Sequence, residues 1–103
     1  MNLLAETHDK LLDYDLTPQE VLWIGSSDGT YSMTWQKFEV LADQRYDNGY
    51  GGQEVCSDLV VVGEDWWLER HEYDGMEWWE FKRKPICKLD DKPVTKVFGD
   101  FVE

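Results

Sequence analysis

The stretch that decides the fold is residues 66–82, WWLERHEYDGMEWWEFK. Its centre, Asp74-Gly75, is typical of a two-residue β-hairpin turn, because both turn positions need a positive φ that Asp and Gly tolerate. Such a turn leaves no slack in the pairing of the strands on either side. The sequence therefore predicts strands over Trp66–Tyr73 and Met76–Lys82 in one fixed antiparallel register.

Side chains alternate along a strand, so this register sorts the hairpin onto two faces. The first face is expected to lie on the core, with Arg70 towards its rim and in a cation–π contact with Trp79. This face carries Trp66, Leu68, Arg70, Trp79 and Phe81. The second face is both aromatic and acidic, and it carries Trp67, Glu69, His71, Tyr73, Met76, Trp78, Glu80 and Lys82.

The second face is difficult to bury and costly to leave unused. Glu69 and Glu80 oppose each other directly, and burying two unpaired carboxylates is strongly unfavourable. A cluster of exposed aromatic rings is nevertheless uncommon on a monomer unless it binds something. Aromatic anchors framed by charges are typical of protein interfaces. The sequence thus predicts a partner-binding surface, unless the segment after Pro85 covers it. The predicted contact residues are Trp67, Glu69, His71, Tyr73, Asp74, Met76, Trp78 and Glu80.

Two helices are predicted from apolar residues at helical spacing. The first spans residues 2–14 with Asn2 as its cap, and the second begins after the cap Thr34. The buried faces are expected to comprise Leu3, Leu4, Leu11 and Leu12 in the first helix and Trp35, Phe38, Leu41 and Ala42 in the second.

Further strands are predicted at 21–24, where an apolar run precedes a glycine-rich turn, near 30–33, and over 54–62, which is rich in β-branched residues. The strand over 54–62 would place Cys56 in the core and would join the hairpin in a three-stranded meander over 54–82. The fold class is therefore α+β, a small antiparallel sheet of roughly four or five strands with two helices packed on one face.

The length of 103 residues fits a single domain, residues 1–103. The tail over 86–103 is expected to be partly ordered or to add an edge strand near 96–102. The chain has neither a long apolar run nor a secretion signal at its start, which predicts a cytoplasmic protein.

The charge of the chain selects the class of partner. It has 10 Lys+Arg and 22 Asp+Glu, a formal charge of −12. Direct binding of nucleic acid or of an acidic membrane needs clustered Lys and Arg, which this chain lacks. We therefore expect it to bind neither nucleic acid nor a membrane directly. The acidic charge suits a basic protein, such as one with a nucleic-acid groove that attracts carboxylates as it attracts phosphates. Solubility alone is an equally good explanation of the charge.

No motif predicts a metal or another cofactor. Cys56 and Cys87 are far apart in the sequence, which favours two reduced thiols, and His8 and His71 are the only histidines that could join them. Residues 43–54 place acids at three positions of a calcium-binding loop, but position 3 is Arg45 and the glycine is displaced, so the template fails.

Two stretches, DLVVVGEDWWLERHEYDG at 58–75 and WWEFK at 78–82, resemble a pattern in small acidic accessory proteins of Gram-positive phages and prophages. Residues 35–51 resemble the same pattern, so the resemblance covers about half of the chain. It implies a protein that acts inside a bacterial host cell. Some such proteins inhibit host defence, CRISPR nucleases included, by occupying basic nucleic-acid-binding surfaces. The resemblance implies no catalytic residue.

Three functions therefore stay open. The first is a phage-type acidic protein, a nucleic-acid mimic that inhibits or modulates a basic host nucleic-acid-binding protein or nuclease. The second is a self-associating accessory protein in which the aromatic face closes a homodimer. The third, the least favoured, is an enzyme that uses Glu69 and Glu80 as an acid/base pair; the sequence supplies no nucleophile beside them, so we predict a protein without catalytic activity.

Overall fold

The computed structural model describes residues 1–49, 51–90 and 92–101. Five strands form one antiparallel sheet in the order β2-β1-β3-β4-β5, which confirms the α+β class. A short 3₁₀ turn, Pro18–Glu20, precedes the first strand. The other elements are α1 (Leu3–Leu12), β1 (Trp23–Ser26), β2 (Ser32–Met33), α2 (Trp35–Ala42), β3 (Leu59–Val62), β4 (Trp66–Tyr73) and β5 (Met76–Arg83).

Both helices begin where the sequence predicts. The side-chain oxygen of Asn2 accepts a hydrogen bond from the backbone N–H of Ala5 at 2.9 Å. The hydroxyl of Thr34 accepts one from the backbone N–H of Lys37 at 3.1 Å. Each bond satisfies a donor that the first turn of a helix otherwise leaves without a partner.

The predicted apolar faces of the helices are partly wrong. Leu12 is 69% exposed and Leu41 is 49% exposed. The buried residues are Thr7 and Leu11 in α1 and Phe38 and Ala42 in α2, each pair four positions apart. Positions four apart share one helix face, so the neighbouring leucines at 12 and 41 are rotated towards solvent.

Strand β1 spans Trp23–Ser26, so it begins and ends two residues later than the predicted 21–24. The 3₁₀ turn Pro18–Glu20 lies before it, and the Glu20 carboxylate stabilises this turn by accepting the backbone N–H of Thr17 at 2.8 Å. Thr17-Pro18 has the residue types of a helix start, with a cap followed by proline, but here it produces only a single turn.

Strand β3 is shorter than predicted, and Cys56 is exposed rather than in the core. The backbone N–H groups of Glu54 and Val55 donate to the Glu77 carboxylate at 2.6 and 3.2 Å. Because these donors are taken by a side chain, this segment does not join the ladder, and the meander starts at Leu59.

The tail forms no strand within the described residues 84–90 and 92–101. The edge strand predicted near 96–102 is therefore wrong for residues 96–101, and Val102 lies outside the described residues. The apolar side chains of Ile86, Leu89 and Phe98 are exposed.

The core lies between the two helices and one face of the sheet. One row of paired residues crosses all five strands on this face, and Leu11, Phe38 and Ala42 from the helices belong to the same apolar cluster. The row consists of Met33, Ile24, Val61, Leu68 and Phe81. Within the described residues, no helix has both the length and the apolar character that a membrane span requires.

Candidate protein-binding face

The hairpin register is the predicted one. Tyr73 pairs with Met76, and the pairing continues without interruption to Trp66 opposite Arg83. The turn residues Asp74 and Gly75 have φ values of 52° and 85°, as a two-residue turn with positive φ at both positions requires. The assignment of hairpin side chains to two faces is thereby confirmed.

Among the described residues, none covers the face of the sheet opposite the helices, and we call it the open face. Its side chains are half-buried in the sheet centre, while Tyr73 and Met76 at the hairpin end are exposed. Asp74 is exposed in the turn beside them. The half-buried members are Trp23, Val60, Val62, Trp67, Glu69, His71, Trp78, Glu80 and Lys82.

Trp23 is a member of the open face that the sequence analysis missed. It pairs with Val62, which pairs with Trp67, so two tryptophans flank a valine in one row. The Trp23 ring also lies over Gly25, where an added Cβ would come within 2.6 Å of the ring. The predicted strand at 21–24 contained this residue, but only the pairing of β1 with β3 shows which face it occupies.

The two opposed carboxylates on the open face are each held by a neighbouring indole. Glu69 accepts the Trp67 indole N–H at 2.7 Å, and Glu80 accepts the Trp78 indole N–H at 3.1 Å. The second oxygen of Glu69 lies 2.7 Å from Nε2 of His71. These bonds offset the repulsion between Glu69 and Glu80, which stand directly opposite each other.

Glu69 is held in its charged form. The hydrogen bond from the Trp67 indole lowers the pKa of the Glu69 carboxyl below its usual value. Burial opposes this effect, and the hydrogen bond to His71 lowers the pKa further. A carboxylate with a lowered pKa is a poor proton donor at neutral pH. Glu69 therefore presents a fixed negative charge between aromatic rings.

The tail does not cover the open face in the described part of the chain. Every described residue of the tail is exposed, and the open-face side chains keep their solvent exposure. Both helices contribute their buried residues to the opposite side of the sheet. The predicted contact residues on β4 and β5 therefore lie together on a surface that solvent and a partner can reach.

Arg70 is not at a rim, as the sequence analysis predicted, but in the centre of a buried polar cluster. Its guanidinium donates to Glu77 at 2.9 Å, to Glu6 at 3.2 Å and to the Tyr46 hydroxyl at 3.1 Å. The Tyr46 hydroxyl donates in turn to Glu6. The predicted contact with Trp79 is confirmed, since the guanidinium lies 4.8 Å from the centre of that ring. We call Glu6, Tyr46, Arg70 and Glu77 the Arg70 cluster.

Two residues of the Arg70 cluster, Tyr46 and Arg70, have shifted pKa values. Burial and the hydrogen bond to Glu6 raise the pKa of Tyr46 to about 12. Burial alone would lower the pKa of Arg70, but its hydrogen bonds to Tyr46 and Glu77 outweigh that effect and raise it. The hydrogen bonds of the cluster join α1, the segment at 43–49 and the hairpin.

The sequence contained one signal for the Arg70 cluster that was not used. The hairpin register puts Glu77 opposite Glu72 on the core face, diagonal to Arg70, and a buried arginine needs such a partner. Nothing local identified Glu6 and Tyr46, because they approach Arg70 from distant parts of the chain.

One cavity of the molecule has few groups that could take part in a reaction. A cavity of about 370 Å³ lies between α2 and the segment at 54–59, with a mainly apolar lining that includes Phe38 and the side of Leu41. Within the described residues, no three His, Cys, Asp or Glu side chains are grouped to hold a metal ion.

Comparison of the chain with protein-family models, curated proteins and solved structures gives no match. The functional argument therefore depends on the geometry of the open face and on the charge of the chain. The resemblance to phage accessory proteins stays a prediction.

Proposed function

We propose that this protein is a binding protein without catalytic activity, which inhibits or modulates a basic nucleic-acid-binding protein by docking its open face on that protein. The observation that carries the proposal is a sheet face, uncovered within the described residues, that carries Trp23, Trp67 and Trp78 together with the charged Glu69. Half-buried tryptophans are already ordered by their neighbours, so they lose little side-chain entropy on binding.

Charge complementarity identifies the chemistry of the partner. The chain carries −12 overall, and Glu69 and Glu80 fix two of these charges among the aromatic anchors. A groove that binds phosphates is lined with Lys and Arg and accepts carboxylates at similar positions. Acidic charge would speed the encounter with such a groove, and the tryptophans would slow dissociation.

Binding is favoured over catalysis by the state of the carboxylates. Glu69 has a lowered pKa and both of its oxygens are engaged. An acid/base pair needs two carboxyl groups with separated pKa values beside a reacting group. The arrangement instead holds Glu69 ionised and in a fixed orientation, which suits recognition of a cation.

The experiment is a displacement assay with purified basic nucleic-acid-binding proteins and nucleases from bacteria, each bound to a fluorescently labelled oligonucleotide. Wild-type protein is expected to release the oligonucleotide from its target, and higher ionic strength should weaken this effect. Trp78→Ala should raise the protein concentration needed for half-maximal oligonucleotide release by about thirtyfold, which is the effect of losing a central interface anchor. Tyr31→Ala is the matched control, because Tyr31 is an exposed aromatic residue of the β1–β2 hairpin.

Two results would contradict the proposal. Equal potency of Trp78→Ala and wild type, with circular dichroism showing both folded, would remove the open face from binding. A dimer that persists at high salt and dissociates in Trp23→Ala would instead show that the open face binds a second copy, the alternative function.

A further inference from the structure

The outer edge of β5 is an unpaired strand edge. β5 is the last strand of the sheet, and alternate residues along it direct their backbone groups away from β4. The backbone N–H of Glu77 shows this orientation, since it donates outward to the Asn48 carbonyl at 2.8 Å. Further along, the N–H groups of Trp79 and Phe81 have no protein partner within residues 1–49, 51–90 and 92–101.

A groove with an acidic rim follows this edge. It encloses about 260 Å³ between α1 and β5, and it is lined by both Trp78 and Trp79, whose side chains project to opposite faces of the strand. A cavity that touches both faces lies at the strand edge itself. The charged residues that line it are Glu6, Asp9, Lys10 and Asp13.

One segment of the chain has basic and apolar side chains that suit pairing with β5, which carries Trp78 and Glu80 on the open face. Residues 92–98, KPVTKVF, carry two lysines and no acid, although the whole chain carries −12. Val94, Val97 and Phe98 are large apolar residues exposed to solvent. β-branched and aromatic residues favour strands, and a proline is tolerated at the start of one.

The described tail residues, 92–98 included, are all exposed. The radius of gyration is 16.7 Å, against roughly 13 Å for a compact chain of this length, and the longest dimension is 50 Å. A projecting apolar segment and an unpaired edge in the same molecule are the two components of reciprocal strand exchange.

We propose that the groove beside β5 binds residues 94–98 of a second copy as an added antiparallel strand, giving a two-fold symmetric dimer. The opposite charges of Lys96 and Glu80 favour the register in which these two residues lie directly opposite each other. Phe98 then lies beside Trp78 on the open face. Thr95 and Val97 face α1, and their backbone groups pair with Phe81 and Trp79. This contact uses the edge of the sheet and touches the open face at Trp78 and Glu80, on its β5 border. The proposal does not rest on the basic partner proposed above.

Disulfide capture tests the register. Both native cysteines are exposed and are first replaced by serine, giving a cysteine-free parent. Glu80→Cys and Lys96→Cys are then made in separate chains, since a non-hydrogen-bonded antiparallel pair brings two Cα atoms to a distance that a disulfide spans. Mixing the two chains under mild oxidation is expected to give a covalent dimer. Thr95→Cys is the matched control and should not react with Glu80→Cys, because Thr95 projects to the other face.

Three results of this capture would overturn the proposal. The first is absence of the mixed dimer. The second is equal capture by Thr95→Cys, which indicates random collision. The third is an internal disulfide in dilute monomer when one chain carries both Glu80→Cys and Lys96→Cys, which shows that the tail closes on its own β5.

Sedimentation velocity of the full chain from micromolar to millimolar concentration gives an independent test. Wild type is expected to dimerise, and Val97→Pro should weaken the dimer at least about tenfold, because it removes an N–H that pairs with Trp79. Val94→Pro is the control, since the N–H of Val94 points away from β5 in this register. A wild type that is monomeric throughout, or equal effects of the two prolines, would refute the proposal. Val97→Pro should displace the oligonucleotide at least as well as wild type, because the dimer contact lies beside Trp78 and Glu80; this separates the proposal from the proposed function.

Discussion

Replacing Glu77 by glutamine should destabilise the protein severely, although Glu77 lies in a hairpin rich in carboxylates. Its side chain has no solvent exposure, and neither has that of Arg70, to which it is joined at 2.9 Å. Glu77→Gln preserves the volume but removes the negative charge. Arg70 then keeps only Glu6 as a charged partner, at 3.2 Å.

The magnitude follows from the bonds that are lost. Removing one partner of a buried ion pair costs about 3–5 kcal/mol, because the remaining charge is left uncompensated. Glu77 also accepts the backbone N–H groups of Glu54 and Val55, and a glutamine has only one oxygen for them. A donor left without an acceptor adds about 1–3 kcal/mol if water does not reach it. We therefore expect the free energy of unfolding to fall by at least about 3 kcal/mol, a large part of the 5–15 kcal/mol typical of a domain.

Urea denaturation followed by tryptophan fluorescence measures this loss, since Trp79 lies against Arg70. Glu72→Gln is the matched control: Glu72 stands directly opposite Glu77 in the ladder but is exposed, so its loss should change the stability by less than about 0.5 kcal/mol. A loss below about 1 kcal/mol for Glu77→Gln, as exposed ion pairs give, would refute the reasoning.

Three other predictions concern separate features. The pKa of Tyr46 is raised from 10.0 to about 12, so its contribution to stability is complete below pH 10 and is lost as the pH rises to about 12; Tyr46→Phe should remove this alkaline transition from a pH series of urea denaturations. Gly63→Ala should cost about 1–3 kcal/mol in thermal unfolding, because its Cβ would lie 2.1 Å from the Trp66 ring, whereas Gly52→Ala meets nothing within 4 Å and should be tolerated. Asp74→Val should cost about 1–2 kcal/mol in denaturant unfolding, since φ is 52° at this turn position and a β-branched residue adopts it poorly.

The hairpin could be predicted from sequence because its determinants are local. Asp74-Gly75 fixes the turn, the turn fixes the register, and the register assigns every side chain of β4 and β5 to a face. The caps Asn2 and Thr34 were predictable for the same reason, since each acts on the turn that follows it. The open face was therefore largely identified before any tertiary contact was known.

The errors arose where a distant group competes with a local preference. The strand predicted over 54–62 fails in its first half, because the Glu77 carboxylate takes the N–H groups of Glu54 and Val55 that a ladder would use. Cys56 is exposed as a result. Leu12 and Leu41 each stand next to a buried residue, Leu11 and Ala42, and fit the same apolar pattern. Only packing decides which of two neighbouring positions on a helix faces the sheet.

The sequence by itself determined the turn, the register and the two-sided hairpin, because these depend on backbone preferences within a few residues of Asp74. The tertiary structure alone decided that Arg70 is buried, since its partners Glu6 and Tyr46 lie 64 and 24 positions away. It also decided that Trp23 joins the open face, through the pairing of β1 with β3. The physical reason is range: conformational preferences act along a short stretch of chain, whereas burial and ion pairing depend on which distant segments the fold brings together.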